Sequence, residues 1–361
     1  MATRSTDSHN YGLILAGGRG TRFWPRSRRR SAKQVLKIAG TRSLIQNTVS
    51  RLLPLIPPER LWVLTNEHLR DEIVNQLPGI PAAQILAEPA QRNTAPAIGL
   101  AAQILSSIDP DAVMGVFPAD HIIAREARYR QLVRRAFACA RRSRIVALGI
   151  QPRWPETGYG YIEFPPGAIS SSRPVAIRRF REKPDARTAA RYVSSGRFFW
   201  NAGMFFWRAG VLLDELRRSL PRTASILAAL PAFQDPGFLA KLREVFPLCE
   251  NISIDYAVLE KAREVVGLPC PEIGWNDVGS WNAVYELSPH DADRNSLPPG
   301  AISYTATGNY VDAGKMVALV GVSNLIVIDT PDALLIADRN SAQHVGEIVK
   351  VLEKRKRDDL L

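Results

Sequence analysis

The chain has 361 residues, 46% hydrophobic and 23% charged, which is enough for one large or two medium globular domains with a substantial core. Lysine and arginine outnumber aspartate and glutamate 47 to 35, a net charge of +12. The arginines are spread along helix-like stretches such as REARYRQLVRRAFACARRSR, which marks solvated helix faces, and no zinc-finger or RNA-recognition motif argues for nucleic acid as the partner. No apolar run is long enough for a membrane-spanning helix, and the scattered Cys139, Cys249 and Cys270 form neither a metal cluster nor a disulfide framework, so the expected address is cytoplasmic.

The N-terminal MATRSTDSHN is polar, lacks the apolar core of a secretion signal, and reads as a disordered lead-in over residues 1–10. YGLILAGG then reads as a buried strand ending in glycines, and SLIQNTVSRLLPL has apolar residues at helical spacing. RLWVLTN, HLRDEIVNQL, AQILAEP, APAIGLAAQILSSI and AVMGVFPADHII continue the alternation as strand, helix, strand, helix and strand. Alternation at this pace predicts βαβ units, a parallel sheet with helices on both faces, and a ligand crevice outside the carboxyl ends of the strands. LAGGRGTR and FPADH both fall at such ends. From about 145 to 290 the pattern continues as α/β with an antiparallel excursion, which gives a first domain over 11–290. SPHDADRNSLPPG reads as a linker, assigned to 291–300, and 301–361 as a small β-rich domain of short strands and tight turns. Its terminal helix has Ser341 as expected N-cap and Val345, Ile348, Val349 and Leu352 on one face.

Residues 15–36, LAGGRGTRFWPRSRRRSAKQVL, combine three glycines with six arginines and a lysine. They match neither the P-loop spacing nor G-x-G-x-x-G, yet the physical recipe is similar. Gly17, Gly18 and Gly20 let backbone N–H groups approach phosphate oxygens, and Arg22 and Lys33 can add full charges. A solvated basic loop is the plainer reading of the same residues.

The complete string LAGGxGTRxWPxSRxxxxKQ resembles the signature of the nucleotide-sugar pyrophosphorylases, and its Trp-Pro and Lys-Gln elements point within that group to the mannose-1-phosphate guanylyltransferases. EPAQRNTAPAIGLAA, FPADHII, GYGYIE, REKPD, FFWNAGMFFW, SIDYAVLEKA, GWNDVGSW and VIDTPDALLIADRNSAQHVGEIV follow in the family's order, so the resemblance covers residues 11 to about 350. It implies a Rossmann-like, mixed but mostly parallel sheet flanked by helices, of the nucleotide-diphospho-sugar transferase type. A short left-handed β-helix-like region and a terminal helix would follow, with homodimers expected. The implied reaction is transfer of GMP from GTP to α-D-mannose 1-phosphate with Mg²⁺. The alternatives are the same chemistry on another sugar 1-phosphate or nucleoside triphosphate, or a non-catalytic regulatory homologue that binds a nucleotide sugar.

Carried onto this sequence, the resemblance assigns the nucleotide to Leu15, Ala16, Gly17, Gly18, Gly20, Thr21, Arg22 and Lys33, the base edge to Asn93 and Thr94, and Mg²⁺ to Asp120 and Asp277. Magnesium suits such carboxylates because it prefers hard oxygen ligands plus phosphate and water. Lys183 would contact the sugar phosphate, Glu182 the sugar hydroxyls, and Asn201 the hexose, with Gly158 close by. Plainer readings compete: a turn or cap for Asp120, a surface ion pair for Glu182 and Lys183, a buried strand for FFWNAGMFFW, and a helix cap for Asp255. Two positions depart from the family pattern. Arg26 replaces a leucine, and Ala32 replaces a proline whose loss is expected to loosen the loop carrying Lys33. At this length no room is expected for the further isomerase domain of bifunctional members.

Overall fold

The computed structural model describes residues 6–38, 40–168, 173–262, 264–270 and 272–361. The chain runs through β1 (Asn10–Leu15), α1 (Leu44–Leu52), β2 (Leu61–Asn66), α2 (Glu67–Gln76), β3 (Ile85–Glu88), α3 (Thr94–Ile108), β4 (Val113–Pro118), β5 (Ile122–Ile123), α4 (Glu126–Ala140) and β6 (Ile145–Ile150). There follow β7 (Tyr161–Glu163), β8 (Val175–Ala176), β9 (Arg179–Arg181), α5 (Ala186–Ser195), β10 (Phe198–Arg208), α6 (Ala209–Ser219), α7 (Pro221–Ala228), α8 (Phe238–Val245), β11 (Val265–Cys270), β12 (Trp275–Asn276) and α9 (Trp281–Leu287). The last part holds β13 (Ile302–Tyr304), β14 (Tyr310–Asp312), β15 (Ala318–Val320), β16 (Leu325–Asp329), β17 (Leu334–Asp338) and α10 (Val345–Lys354).

The large sheet has the order β3-β2-β1-β4-β10-β6-β11-β8, with β7 beside β10 and β9 beside β7. β3, β2, β1 and β4 are mutually parallel, and the long β10 is the antiparallel excursion, reversed against both β4 and β6. β1 reads as an unbroken apolar run because both of its faces are covered. Alternate residues divide between two cores: Leu13 packs with Ile98 of α3, Leu212 of α6 and Leu227 of α7, whereas Ile14 packs with Ile45 of α1, Ile73 of α2 and Phe137 of α4. Helices on both faces leave the carboxyl ends of β1 and β4 open side by side.

The lead-in expected over residues 1–10 is shorter than the composition suggests. Residues 1–5 lie outside the described ones, but Thr6–His9 form a 3₁₀ turn, His9 bonds Asp109 at 2.8 Å, and Asn10 opens β1. The stretch read as a linker is also built into the C-terminal part. Asn295 is buried and donates to the Ala306 carbonyl at 2.9 Å. Its Oδ1 accepts from Asn309 Nδ2 at 2.9 Å, and Asn309 Oδ1 accepts from Leu325 N–H at 2.9 Å. One buried asparagine per coil thus ties successive turns together, and β13–β15 and β14–β16 pair in parallel above it, as β-helix coils do. Ser341 is not the terminal N-cap: Asp338 caps a 3₁₀ turn over Arg339–His344 that leads into α10. On α10, Val345 and Val349 are buried and Ile348 is exposed, so the apolar face is narrower than its spacing predicts.

Candidate active site

Gly17 and Gly18 continue directly from β1 and have open space where a side chain would stand, apart from Glu88 Oε2 at 3.4 Å from a Cβ on Gly17. Gln34 holds the shape of this loop, donating from Nε2 to the carbonyls of Ala16 (2.6 Å) and Gly18 (3.0 Å), while Thr65 Oγ1 donates to Ala16 O (3.0 Å). These bonds hold the loop's carbonyls against Gln34 and Thr65, and Gly17 and Gly18 line a cavity. Gly20 is at φ +61°, and a Cβ there would lie 2.6 Å from Lys33 Cβ; the glycine is needed for both reasons. Ala32 stands where the family has a proline. Its φ of −74° falls in the range that a proline ring would fix, and Lys33 is anchored through its own bonds.

Lys33 is nearly buried, and its Nζ donates to Asp120 Oδ2 at 2.8 Å and to the Asp277 carbonyl at 2.5 Å. Asp120 follows β4 and Asp277 follows β12, so the two expected metal residues converge on one lysine. Burial opposes ionisation of Asp120, but Lys33 and His121 outweigh it and hold the carboxyl below its ordinary range. His121 Nδ1 accepts from Trp275 Nε1 at 3.2 Å, which places its proton on Nε2, and burial brings its pKa down to about 4. The Asp277 carboxylate accepts from Tyr159 OH, and burial, then Asp277, pushes that phenol well above its usual range. Two carboxylates with few other protein ligands fit a Mg²⁺ that keeps waters and phosphate oxygens, and among the described residues no cluster of three or more His, Cys, Asp or Glu offers a closed cage instead.

The two aspartates that Lys33 contacts each line a cavity. One, of about 520 Å³, is walled by Leu15–Gly18, Asn93, Thr94, Asp120 and Asp255, which brings together most of the expected nucleotide residues. The other, of about 800 Å³, holds Asp277, Gly158, Tyr159 and Arg22. Arg22 thus lines the cavity of Asp277 and not that of Gly17 and Gly18. Its Nη1 lies 3.6 Å from a Cβ on Gly279, next to Asp277, and donates to Gln343 Oε1 at 2.7 Å. Thr21 is turned away against α10, its Oγ1 3.2 Å from a Cβ on Gly346.

The sugar-side residues also gather. Asn201 Nδ2 donates to Asp255 Oδ1 at 2.9 Å, and Lys183 Nζ is 3.3 Å from Glu182 Oε1. Burial and then Glu182 bring the Asp255 carboxyl up to about 6, and burial also raises Glu182. Asp255 is the first residue of a π-helical turn over Asp255–Leu259, and its carboxylate faces Asn201 and Glu182. Lys183 has φ +44°, a strained backbone of the kind found at ligand sites. The glycine beside Asn201 is Gly160 rather than Gly158: its carbonyl accepts from Asn201 N–H at 2.8 Å, and a Cβ on it would lie 2.3 Å from Glu182 Oε2. Asn93 and Thr94 are both engaged at the start of α3, Asn93 Oδ1 accepting from Thr94 N–H (2.8 Å) and Thr94 Oγ1 from Ile254 N–H (2.9 Å).

The profile of the nucleotidyl transferase family matches residues 11–294. The chain belongs to the nucleotidyl transferase family. A second profile, the MannoseP isomerase/GMP-like beta-helix domain, matches residues 306–352. A mannose-1-phosphate guanylyltransferase of Escherichia coli K12 is 40% identical over 352 residues, 95% of this chain and 73% of that protein. The xanthan biosynthesis protein XanB of Xanthomonas campestris is 38% identical over 353 residues, 96% of this chain and 74% of that one. A crystal structure of a protein named mannose-1-phosphate geranyltransferase, from Thermus thermophilus, superposes with a TM-score of 0.83 at 33% identity over 96% of this chain and 99% of that one. Gln34, Tyr159 and Gly160 lie inside the motif blocks of the sequence, but which neighbours they touch is visible only in the fold.

Proposed function

We propose that this nucleotidyltransferase moves GMP from GTP onto α-D-mannose 1-phosphate, giving GDP-mannose and pyrophosphate. The observation that carries the reading is Lys33 bonded to both Asp120 and the Asp277 carbonyl, with Asp120 on the wall of the 520 Å³ cavity and Asp277 on the wall of the 800 Å³ one. In this reading a sugar-phosphate oxygen attacks the α-phosphorus in line and pyrophosphate departs from the opposite side. No side-chain nucleophile is required, since the attacking phosphate is already an anion; the chain contributes positioning and charge stabilisation. Backbone N–H groups at 17–20 and Lys33 would hold the β- and γ-phosphates, Lys183 the sugar phosphate, and Asn201 with Glu182 the hexose. Arg22, standing beside Asp277, would serve the phosphate on that side. Asp120 and Asp277 would hold Mg²⁺, which when bound neutralises converging phosphate charge. A cytoplasmic homodimer belongs to the same reading: Ile302, Tyr304 and Val320 stand exposed on β13 and β15, an apolar face that a second copy would cover.

The test is pyrophosphate release from purified protein with Mg²⁺, four nucleoside triphosphates and either mannose 1-phosphate or glucose 1-phosphate. Release confined to GTP with mannose 1-phosphate, and abolished by EDTA, is expected. Release with another pair moves the specificity, and silence from every pair in nucleotide-binding protein favours the regulatory alternative.

A further inference from the structure

We propose that Val278 is a positioning residue: its side chain, fixed in an apolar cluster shared with the C-terminal part, holds a strained backbone that aims Asp277 at Lys33. The proposal rests on the reading above, in which Asp277 serves the reaction, and adds what keeps that residue in place.

Val278 has φ +49° and is fully buried. Among the described residues, no other non-glycine residue with positive φ is buried. Exposed asparagine, serine and lysine reach that region at turns with little difficulty, but a β-branched side chain crowds the backbone there. Such a conformation persists only where the surroundings over-determine it.

Three contacts do so here. The peptide joining Asp277 to Val278 is held on both edges: its carbonyl accepts from Lys33 Nζ at 2.5 Å, and its N–H donates to Asn276 Oδ1 at 2.7 Å. The side chain belongs to the cluster of Phe23, Trp281, Ile326, Ile328, Val345 and Val349, the last four from the C-terminal part. The φ angle of Val278 is the rotation between that anchored side chain and that peptide. A valine released from the cluster relaxes to negative φ, and the peptide turns with it. The turn takes the Asp277 carbonyl off Lys33 and moves the carboxylate that accepts from Tyr159 OH. Asp277 also folds back over this corner: a Cβ on Gly279 would stand 3.2 Å from Asp277 Oδ2. The C-terminal part reaches the same corner a second time, Gln343 Oε1 accepting from Arg22 Nη1 at 2.7 Å.

Space-filling and strain predict opposite orders for smaller residues. For a side chain that only fills space, alanine is the milder change and glycine the harsher. For one that holds a strained turn, the order reverses. Alanine keeps the crowding of a Cβ and loses the grip of the cluster, whereas glycine takes positive φ freely.

The experiment compares the full chain as wild type, Val278→Ala, Val278→Gly and Val345→Ala. The readings are kcat for pyrophosphate release, GTP affinity by calorimetry without metal, Mn²⁺ affinity by electron spin resonance with GTP present, and melting temperature. Val278→Ala is expected to lose about tenfold or more in both kcat and Mn²⁺ affinity, with GTP affinity unchanged. Val278→Gly should stay within about threefold of wild type in both, although its melting temperature falls. Val345→Ala acts from the C-terminal side. It should lower kcat in the wild-type chain but not in the Val278→Gly chain, where no strain needs holding. Glycine as damaging as alanine, or equal Mn²⁺ affinity in all the chains, overturns the assignment alone. Should both Val278 variants fail to fold, Val345→Ala decides by itself: a lower melting temperature with unchanged kcat and Mn²⁺ affinity overturns it as well. Wild-type protein that binds GTP but releases no pyrophosphate with any sugar phosphate overturns the guanylyl reading, and the Mn²⁺ comparison then still decides on Val278.

Discussion

Two glycines of the phosphate loop have different reasons to be glycine, and that difference is measurable. A Cβ on Gly18 would meet nothing within 4 Å, whereas at Gly20 it would collide with Lys33 from a positive-φ backbone. Gly20→Ala should cost roughly 1–3 kcal/mol in urea unfolding and displace Lys33 with it, while Gly18→Ala should leave stability within about 0.5 kcal/mol and act on nucleotide binding only. Lys183 is 64% exposed and pairs with its neighbour Glu182. Its replacement by alanine should cut turnover at least a hundredfold, about 2.7 kcal/mol of barrier, with an unchanged melting temperature. Near-normal turnover would remove it from the site. Glu88 carries a pH prediction. Its folded pKa of about 8 lies above the ordinary 4.5, so the folded state holds the proton that the unfolded chain has already released. Stability of the nucleotide-free protein should therefore fall as pH rises from 4.5 to 8, and Glu88→Gln should flatten that slope in thermal melts.

At the scale of elements, the arginine-rich loop explains its own charge. Arg19 pairs with Glu353, Arg26 bidentately with Asp312, Arg28 with Asp332 and Arg29 with Asp358, each partner lying in the C-terminal part, and Trp24 Nε1 donates to Leu360 O at 3.0 Å. Most of the positive charge thus docks an acidic partner within the chain, leaving Lys33 to the site and Arg22 at its edge. Arg26, the departure from the family's leucine, is one of these docking residues. Exposed pairs of this kind are individually weak, about 0–1 kcal/mol, and act by register more than by energy. The asparagine ladder is the stronger device. Asn309→Ala would strand the Leu325 N–H and leave the buried Asn295 oxygen with the Asn309 backbone N–H as donor, and should cost about 1–3 kcal/mol in denaturant unfolding.

At the scale of the molecule, one apolar cluster joins the two parts. Phe23 and Trp24 of the loop pack with Val278 and Trp281 beside Asp277, and with Ile326, Ile328, Val345 and Val349 of the C-terminal part. Trp281 Nε1 donates to the Trp24 carbonyl at 3.1 Å, so the segments bearing Lys33 and Asp277 share a floor that α10 supplies. Val349→Asp would place a charge in that floor. It should lower turnover sharply while far-UV dichroism retains the α/β signal, because the two cores of the large sheet do not include Val349. Turnover unchanged in that variant would show that the C-terminal part does not support the site.

The strand–helix alternation of the first 150 residues, the motif blocks and the broad class of chemistry were readable from the sequence, because periodicity and short-range spacing are local properties. The identities of Lys33, Asp120 and Asp277 as a set were likewise legible through the family pattern. Tertiary structure decided the rest. Only folding brings Asp277 to Lys33, puts Gly160 instead of Gly158 beside Asn201, sets Arg22 apart from the glycine loop, and turns a proline-rich linker into a buried asparagine ladder. These are contacts between residues far apart in the chain, and a sequence states which groups are available without stating which of them burial leaves unpaired. Glu88 is the case in point: as a letter it is an ordinary acid after a strand, and its meaning comes from an enclosed oxygen with no donor among the described residues.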